Sequence, residues 1–372
     1  MSFTGKAIDQ NGQLPDGAED VSDIVGLVSP FETPLLYHLG DAKRPAFDNE
    51  HKWVDKCQLY SSDWVKLHRP VDAASAQEFG VRHLNRFEIG DMLQIEGYRE
   101  IMKVTDLNYQ EGTLFVDRRA FGTPPGRVDD GVRINILGNL LHPSPGNPRF
   151  LREFNRVNYR ELFAAEVFAS SKHCQPGHSI DNEIDYQKQE KVRELLRELE
   201  NWVINGIGSS GRFSTMHGIV DSIGTNVFFA GYDGFPFEDK PKGQVLHQKH
   251  LSAAMERIAE YGQFGVDTIL VGGSPKVGQV KCQLVDGFID IRNRFSNEFG
   301  DFDVVKSRWV PSDAVILLDS SRIEVKPIQG KSFYCHLAMW SDNQRKMELM
   351  GEYTLEFREE MAHGIIRGLK SA

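Results

Sequence analysis

The sequence predicts an α+β protein, on three observations. Residues Phe87–Gly138 alternate apolar and polar in four short runs; one long helical stripe covers Asn182–Asn205; and from Trp309 onward the chain is strand after strand. Between the last two lies a helix, strand, turn, helix passage, the grammar of a mixed layer.

Met1–Asp20 is polar and acidic, and no domain begins there. Val21–Gly40 (VSDIVGLVSPFETPLLYHLG) is apolar but broken by Pro30 and Pro34. Each proline removes a backbone donor and turns its predecessor towards extended backbone. Too short to bury its own apolar residues, this arm needs another surface, on its own body or on a neighbouring subunit. His51–Leu59 (HKWVDKCQL) reads as a strand through Trp53, Cys57 and Leu59, with polar loop following to Gly80. The runs FEIGDMLQIEG, YREIMKVTDLN, GTLFVDRRAFGT and GVRINILG, punctuated by Gly, Asn and Asp, suggest a small antiparallel barrel or sandwich. HPSPGNP (His142–Pro148) then marks a boundary, because its three prolines forbid regular structure.

Phe150–Ser171 reads as strand, with helix the alternative for RELFAAEVFAS. In the helix that follows, Ile184, Val192, Leu195, Leu196, Leu199, Trp202 and Val203 are apolar, and from Val192 the steps of three and four make one stripe. Asp181 or Asn182 can cap its start, and Gly206 and Gly208 can end it. Glu190 with Arg193, and Glu194 with Arg197, are spaced to pair on the wet side. At ~1.5 Å per residue the helix is about 35 Å long. Met216–Phe228 is a glycine-punctuated turn and extended stretch. His250–Tyr261 is a second amphipathic helix, Asp267–Val271 an apolar strand, and Gly272-Gly273-Ser274-Pro275 leads into a helix to about Phe288. The strands VPSDAVILLD, RIEVKPI, YCHLAMW and KMELMGEYTLEFREEMAHGIIRGL close the chain.

Composition excludes several classes. With 43 basic and 53 acidic residues the net charge is −10, opposite to the basic excess of a histone-type DNA coat. An apolar content of 40% is too high for a disordered tail protein. No window approaches 18 consecutive apolar residues, and the N-terminus lacks a secretory leader's apolar run. Cys57, Cys174, Cys282 and Cys335 are too scattered for a disulfide framework or a zinc knuckle, and read as reduced thiols.

Chemical motifs fail one by one. Ile269–Gly278 (ILVGGSPKVG) lacks the Gly-Lys-Ser/Thr of a phosphate loop and the spacing of a dinucleotide fingerprint; Ser274 as cap and Pro275 at the first helical position explain it locally. His173, Cys174 and His178 are one ligand short of a structural zinc site, and His247 and His250 have no acidic partner nearby. There is no G-x-S-x-G elbow. The pairs Asp129-Asp130 and Glu359-Glu360 read as solvated charge. No catalytic residue, cofactor or metal ligand is assigned.

Four stretches carry a resemblance, in order. SPFETPLLYHLG leads into HKWVDKCQL; Gln189–Gly208 (QEKVRELLRELENWVINGIG) is followed by HGIVDSIGTNVF; then come HLSAAMERIAEYGQFGVDTILVGGSPKVGQV and MGEYTLEFREEMAHGIIRGL. Together they resemble the major capsid (major head) proteins of tailed double-stranded DNA bacteriophages, of Hong Kong 97 type, in a podovirus-like branch. The resemblance implies an N-terminal arm (1–46), an extended loop (47–148) with an inserted β subdomain (about 87–138), and a peripheral domain (149–215) with a spine helix (about 182–205). An axial domain (216–320) and return strands of the peripheral domain (321–372) complete it.

The resemblance also implies a structural protein without cofactor, forming hexamers and pentamers of an icosahedral shell around packaged DNA. Scaffold, portal and cement or decoration proteins are candidate partners; the place is the virion capsid, assembled in the host cytoplasm. The expected intersubunit contacts are Ile24, Leu27, Phe31, Leu35, Leu36, Trp53 and Trp64, with the arm lying on an adjacent subunit's spine helix or extended loop. Ile184, Val192, Leu195, Leu196, Leu199 and Val203 are expected to pack the spine helix on its sheet, and Phe87–Gly138 to lie at the outer surface. The acidic balance suits a container wall that must not bind DNA indiscriminately. An encapsulin-type nanocompartment, a tail or baseplate protein and a cytosolic α/β enzyme are the alternatives.

Overall fold

Helical spacing, strand alternation and glycine punctuation each find their element in the computed structural model. It describes residues 3–8, 14–58, 64–67, 77–81, 84, 87–109, 111–124, 126–128, 132–139, 151–170, 180–210, 214–230, 246, 248–261, 265–272, 294–341 and 344–369. In chain order, β1 (Ala18–Asp20) precedes α1 (Ser22–Glu32), α2 (Pro34–Leu39), β2 (Glu50–Gln58), β3 (Trp64–Lys66) and β4 (Glu78–Gly80). Then come β5 (Asp91–Ile95), β6 (Ile101–Asn108), β7 (Thr113–Asp117), β8 (Arg133–Asn139), β9 (Leu151–Tyr159), β10 (Glu161–Ser170) and α3 (Ile180–Asn205). The middle holds β11 (Ser209–Ser210), β12 (Ser214–Thr215), α4 (Ile219–Ser222), β13 (Val227–Phe229), α5 (Gln248–Tyr261), β14 (Thr268–Gly272) and β15 (Arg294–Asn297). The chain closes with β16 (Gly300–Ser307), β17 (Val315–Leu318), β18 (Ile323–Pro327), β19 (Tyr334–Ser341), β20 (Gln344–Phe357) and β21 (Gly364–Arg367).

Two units divide the chain: Met1–Asp55, Phe154–Ala259 and Gln263–Ala372 in the first, Lys56–Glu153 with Glu260–Gly262 in the second. The second unit is a six-stranded antiparallel sheet in the order β3-β8-β5-β6-β7-β4. A bridge between Leu67 and Val81 joins its two edges, so the sheet closes on itself. Alternation does the rest: Leu93 and Ile95, Met102 and Val104, Leu114 and Val116, and Ile134 and Ile136 all point into one core. The barrel starts earlier than Phe87, because two strands, β3 and β4, occur in the stretch read as polar loop. Both are three residues long, too short for period-two alternation to register.

In the first unit a five-stranded antiparallel sheet runs β1-β19-β20-β10, with β18 also on β20. The RELFAAEVFAS segment is strand, not helix: β10 pairs along its whole length with β20, from Glu161 opposite Tyr353 to Ser170 opposite Gln344. A six-stranded mixed sheet, β13-β21-β17-β14-β16-β15, has apolar residues on both faces. Ile269 and Val271 of β14 join Leu251, Met255 and Ile258 of α5, whereas Leu270 turns to the core shared with α3. Burial on both faces is why DTILV reads as continuously apolar. The residues following Gly272, including Ser274, Pro275 and the helix expected to Phe288, lie outside the described residues.

Helix α3 begins at Ile180, so Asp181 sits inside its first turn, where a carboxylate suits the helix dipole. At its end the Gly206 N–H donates to Trp202 O at 2.9 Å, and a Cβ on Gly206 would stand 2.6 Å from that oxygen and 2.7 Å from Met216 O. Of the two expected ion pairs, Glu190–Arg193 forms, at 2.6 Å. Glu194 instead meets Lys191, and Arg197 leaves the helix surface for Glu32 of α1.

Candidate assembly surface

The arm is helical despite its prolines. Pro30 sits inside α1, where it withholds one N–H, yet the helix continues and the Thr33 N–H donates to Ser29 O at 3.0 Å. Pro34 occupies the first position of α2, where a missing donor costs nothing. What holds α1 is one apolar face: Val25 and Val28 are buried in the core that includes Val192, Leu195, Leu196, Leu199 and Val203 of α3. Ser29 donates its hydroxyl to Phe3 O at 3.0 Å, and Phe3 is itself buried. The Thr4 backbone and hydroxyl both bond Asp41, each at 2.7 Å. Next to it, Gly5 stands at φ +78°, with its carbonyl accepting from Tyr353 Oη at 2.9 Å; a Cβ there would meet that oxygen at 2.7 Å.

The residues expected at intersubunit contacts divide between the subunit's own core and its surface. The arm packs on α3 of its own chain, and Leu35 and Leu36 have no accessible surface to offer a neighbour. Ile24 is half-buried against the same core. Leu27 and Phe31, one turn apart, are 75% and 86% exposed, so α1 is apolar on its outer face as well. Trp53 is half-buried, and its indole N–H donates to Asp55 at 2.9 Å within the chain. The Trp64 side chain lies outside the described residues. Of the helix residues, Val192, Leu195, Leu196, Leu199 and Val203 enter the main core, while Ile184 packs separately with Val167 and Ala169 of β10.

Glu200, Glu356 and Asp55 are among the buried acids that sequence reasoning missed. Glu200 lies four residues after Leu196, on the apolar stripe itself, and accepts from Leu35 N at 3.0 Å and Ser307 Oγ at 2.5 Å. Its place on that stripe was the available signal. Glu356 takes His51 and Lys326 at 2.5 and 2.8 Å, and Asp55 takes Arg156 at 3.4 Å. Burial pushes the Asp55 carboxyl up, against the lowering effect of Trp53 and Arg156. No sequence spacing links these partners.

An open cavity of about 340 Å³ is lined by Trp53, Arg156, Asn158, His217, Asp221, Ser222 and Glu360, among others. His217 Nδ1 and Asp221 Oδ2 are 2.6 Å apart, but Ser222, the one hydroxyl among the lining residues described, donates to Gly218 O at 2.7 Å. Glu360 accepts from Gly224 N at 2.7 Å and Thr225 Oγ1 at 2.9 Å, and Glu359 pairs with Arg322, so the two acids brace turns. Among the described residues no three His, Cys, Asp or Glu side chains converge as a metal site would require, and no helix is long and apolar enough to cross a membrane. His173, Cys174, His178, His247, Asp129 and Asp130 lie outside the described residues.

A core shared by an arm, a long helix and two sheets, with an apolar ridge left outside, is the build of a subunit in a larger assembly. The sequence profile of the SU10 major capsid protein family matches residues 146–370, more than half of the chain. The chain belongs to that family. It is a phage major capsid protein of mixed helix-and-sheet fold, with a structural role in the capsid of the virion. No curated protein matches it. Among solved structures, that of Mycobacterium phage Adephagia is similar at 11% identity, over 89% of this chain and 92% of that one, with a TM-score of 0.39. The cyanophage A-1(L) capsid asymmetric unit is similar at 10% identity over 62% and 84%, TM-score 0.44. The holo-SrpI encapsulin complex of Synechococcus elongatus PCC 7942 is similar at 10% over 61% and 80%, TM-score 0.43. The family match, not these likenesses, carries the assignment.

Proposed function

We propose that copies of this chain assemble through hexamers and pentamers into an icosahedral head of Hong Kong 97 type enclosing double-stranded DNA, and that the outer ridge of α1 is one of the contacts between copies. The observation that carries the contact is that α1 is apolar on two faces. Val25 and Val28 face the core, while Leu27 and Phe31 face outward with nearly full exposure. A helix at the surface of a self-sufficient monomer has one apolar stripe; a second calls for a second burial. In this reading residues 1–46 are the arm, α3 is the spine helix, the six-stranded mixed sheet is axial and takes β21 from the segment expected to return to the peripheral domain, and the barrel is the insertion of the extended loop. Assembly takes place in the host cytoplasm, and scaffold, portal and cement proteins belong to the same reading.

Truncating the arm is a poor test, because residues 1–40 contribute Phe3, Val21, Val25, Val28, Leu35 and Leu36 to the subunit's own core. The double substitution Leu27→Ser with Phe31→Ser touches only the ridge. It should leave the subunit folded, with unchanged circular dichroism, while negative-stain microscopy and sedimentation show free capsomers in place of closed shells. Shells at wild-type yield would remove the ridge from the interface. Discrete small oligomers from the wild-type chain, or shells carrying protein cargo without DNA, would overturn the head itself.

A further inference from the structure

Glu200 is an acid on the buried stripe of α3, with 1% of its surface accessible. Its Oε2 accepts from the Leu35 and Leu36 N–H groups at 3.0 and 3.4 Å, and its Oε1 accepts from Ser307 Oγ at 2.5 Å. One carboxyl therefore ties the spine helix to the first turn of α2 and to the end of β16. Each of the three donors is neutral. The charged groups around the junction are engaged or face away. Glu32 of α1 holds Arg197 of α3 at 2.7 Å and Arg308 at 3.9 Å, and His38 of α2 bonds Thr268 Oγ1 at 2.7 Å. On β16, Asp301 and Lys306 are exposed and Asp303 is half-buried. On α1 and α3, Asp23 and Glu198 are exposed.

We propose that Glu200 is a proton-operated latch on the arm: protonated, it holds α2 against α3 and β16, and once ionised it lets that junction open. This goes beyond the assembly reading, since it concerns the single subunit and stands whether or not α1 contacts a neighbour. The physical reason is desolvation. An ionised carboxylate without a cation in contact is costly in the core, whereas in the opened junction water reaches it. Burial accordingly raises the Glu200 carboxyl to about 7, against the lowering effect of its bonds from Ser307, Leu36 and Leu35 and of the more distant Arg308. The closed junction thus binds a proton that the open one has already lost at any pH between the ordinary carboxylate value and 7. By linkage, the opening equilibrium climbs across that window and levels off above it, rising about tenfold between pH 6 and pH 8.

The test is hydrogen–deuterium exchange of the full-length protein from pH 5 to 8, corrected for the intrinsic base-catalysed rate. The amides of Tyr37 and Gly40, which close the turns of α2, are the readout. The expected result is a tenfold rise in opening between pH 6 and 8 in the wild type and a flat profile in Glu200→Gln, whose amide keeps the acceptor without the charge. Ser307→Ala removes a donor that favours the ionised form, so its levelling-off should move to higher pH. It also serves if the Gln variant does not fold. A wild-type profile without pH dependence, a Gln variant that keeps the rise, or a Ser307→Ala profile that levels where the wild type does would each overturn the latch.

Discussion

Glu356 on β20 and Glu200 on α3 are both nearly inaccessible, in the same unit, yet their carboxyls move in opposite directions. Burial pushes each of them up. At Glu356 it is overcome by hydrogen bonds from His51 and Lys326 and by the charges of Lys326 and Arg358, which bring the carboxyl down to about 2. At Glu200 the donors are two amides and a hydroxyl, and burial wins. What separates the two regions is whether a cation shares the site, since a full charge opposite a buried carboxylate offsets a desolvation cost that neutral donors only reduce. In the barrel, Glu100 repeats the Glu356 solution in its simplest form: one guanidinium, Arg118, reaches both carboxylate oxygens at 2.5 and 2.6 Å, with both side chains almost inaccessible.

The largest effect should come from turning Glu100 into a Glu200. Arg118→Ala strips the carboxylate of its cation and should cost about 3–5 kcal/mol in urea unfolding. Replacing both partners by apolar residues, Glu100→Leu with Arg118→Met, should recover most of that loss. A double variant as unstable as the single one would show that packing, not the stranded charge, sets the cost.

Next in size is Glu356→Gln. Because the folded carboxyl is depressed, its stabilisation is present above the ordinary carboxylate range and is lost as pH falls through that range towards 2. At pH 7 the variant should be less stable by about 3 kcal/mol, from a shift of roughly two units or more at ~1.4 kcal/mol per unit. The gap should close on acidification. For Glu200→Gln the slope has the opposite sign: the wild type loses stability relative to the variant as pH rises towards 7. Parallel pH profiles for the two variants would break the comparison.

The smallest effect belongs to a pair outside the core. Arg197 and Glu32 link α3 to α1, with the arginine side chain 39% exposed. Arg197→Ala should change stability by about 0.2–1 kcal/mol, and the difference should shrink in high salt. A larger, salt-insensitive loss would mean that the arm is held by charge as much as by Val25 and Val28.

Periodicity over many residues is what made elements legible. Helices α3 and α5 carry four or more apolar residues on one face, and β5 to β8 each set two apolar residues in strict alternation, so their types follow from spacing alone. Strands β3 and β4 are too short to carry a period. For β10 and the arm the local signal pointed elsewhere: Ala164, Ala165 and Ala169 favour helix, and Pro30 argues against it. The tertiary structure overrode both. Ten residue pairs with β20 hold the one extended, and burial of Val25 and Val28 holds the other helical.

The sequence by itself determined the α+β class, the long amphipathic helix, the β-rich segment and the resemblance to phage capsid proteins, because each is written in spacing along a continuous stretch. Only the tertiary structure decided where the arm lies, and which acids are stranded and which are paired. Gly5 meets Tyr353, Leu35 meets Glu200, and His51 meets Glu356 across separations of 165 to 348 residues. No local propensity encodes such meetings. They are selected by which apolar faces can be buried together, and the charges settle wherever that burial leaves them.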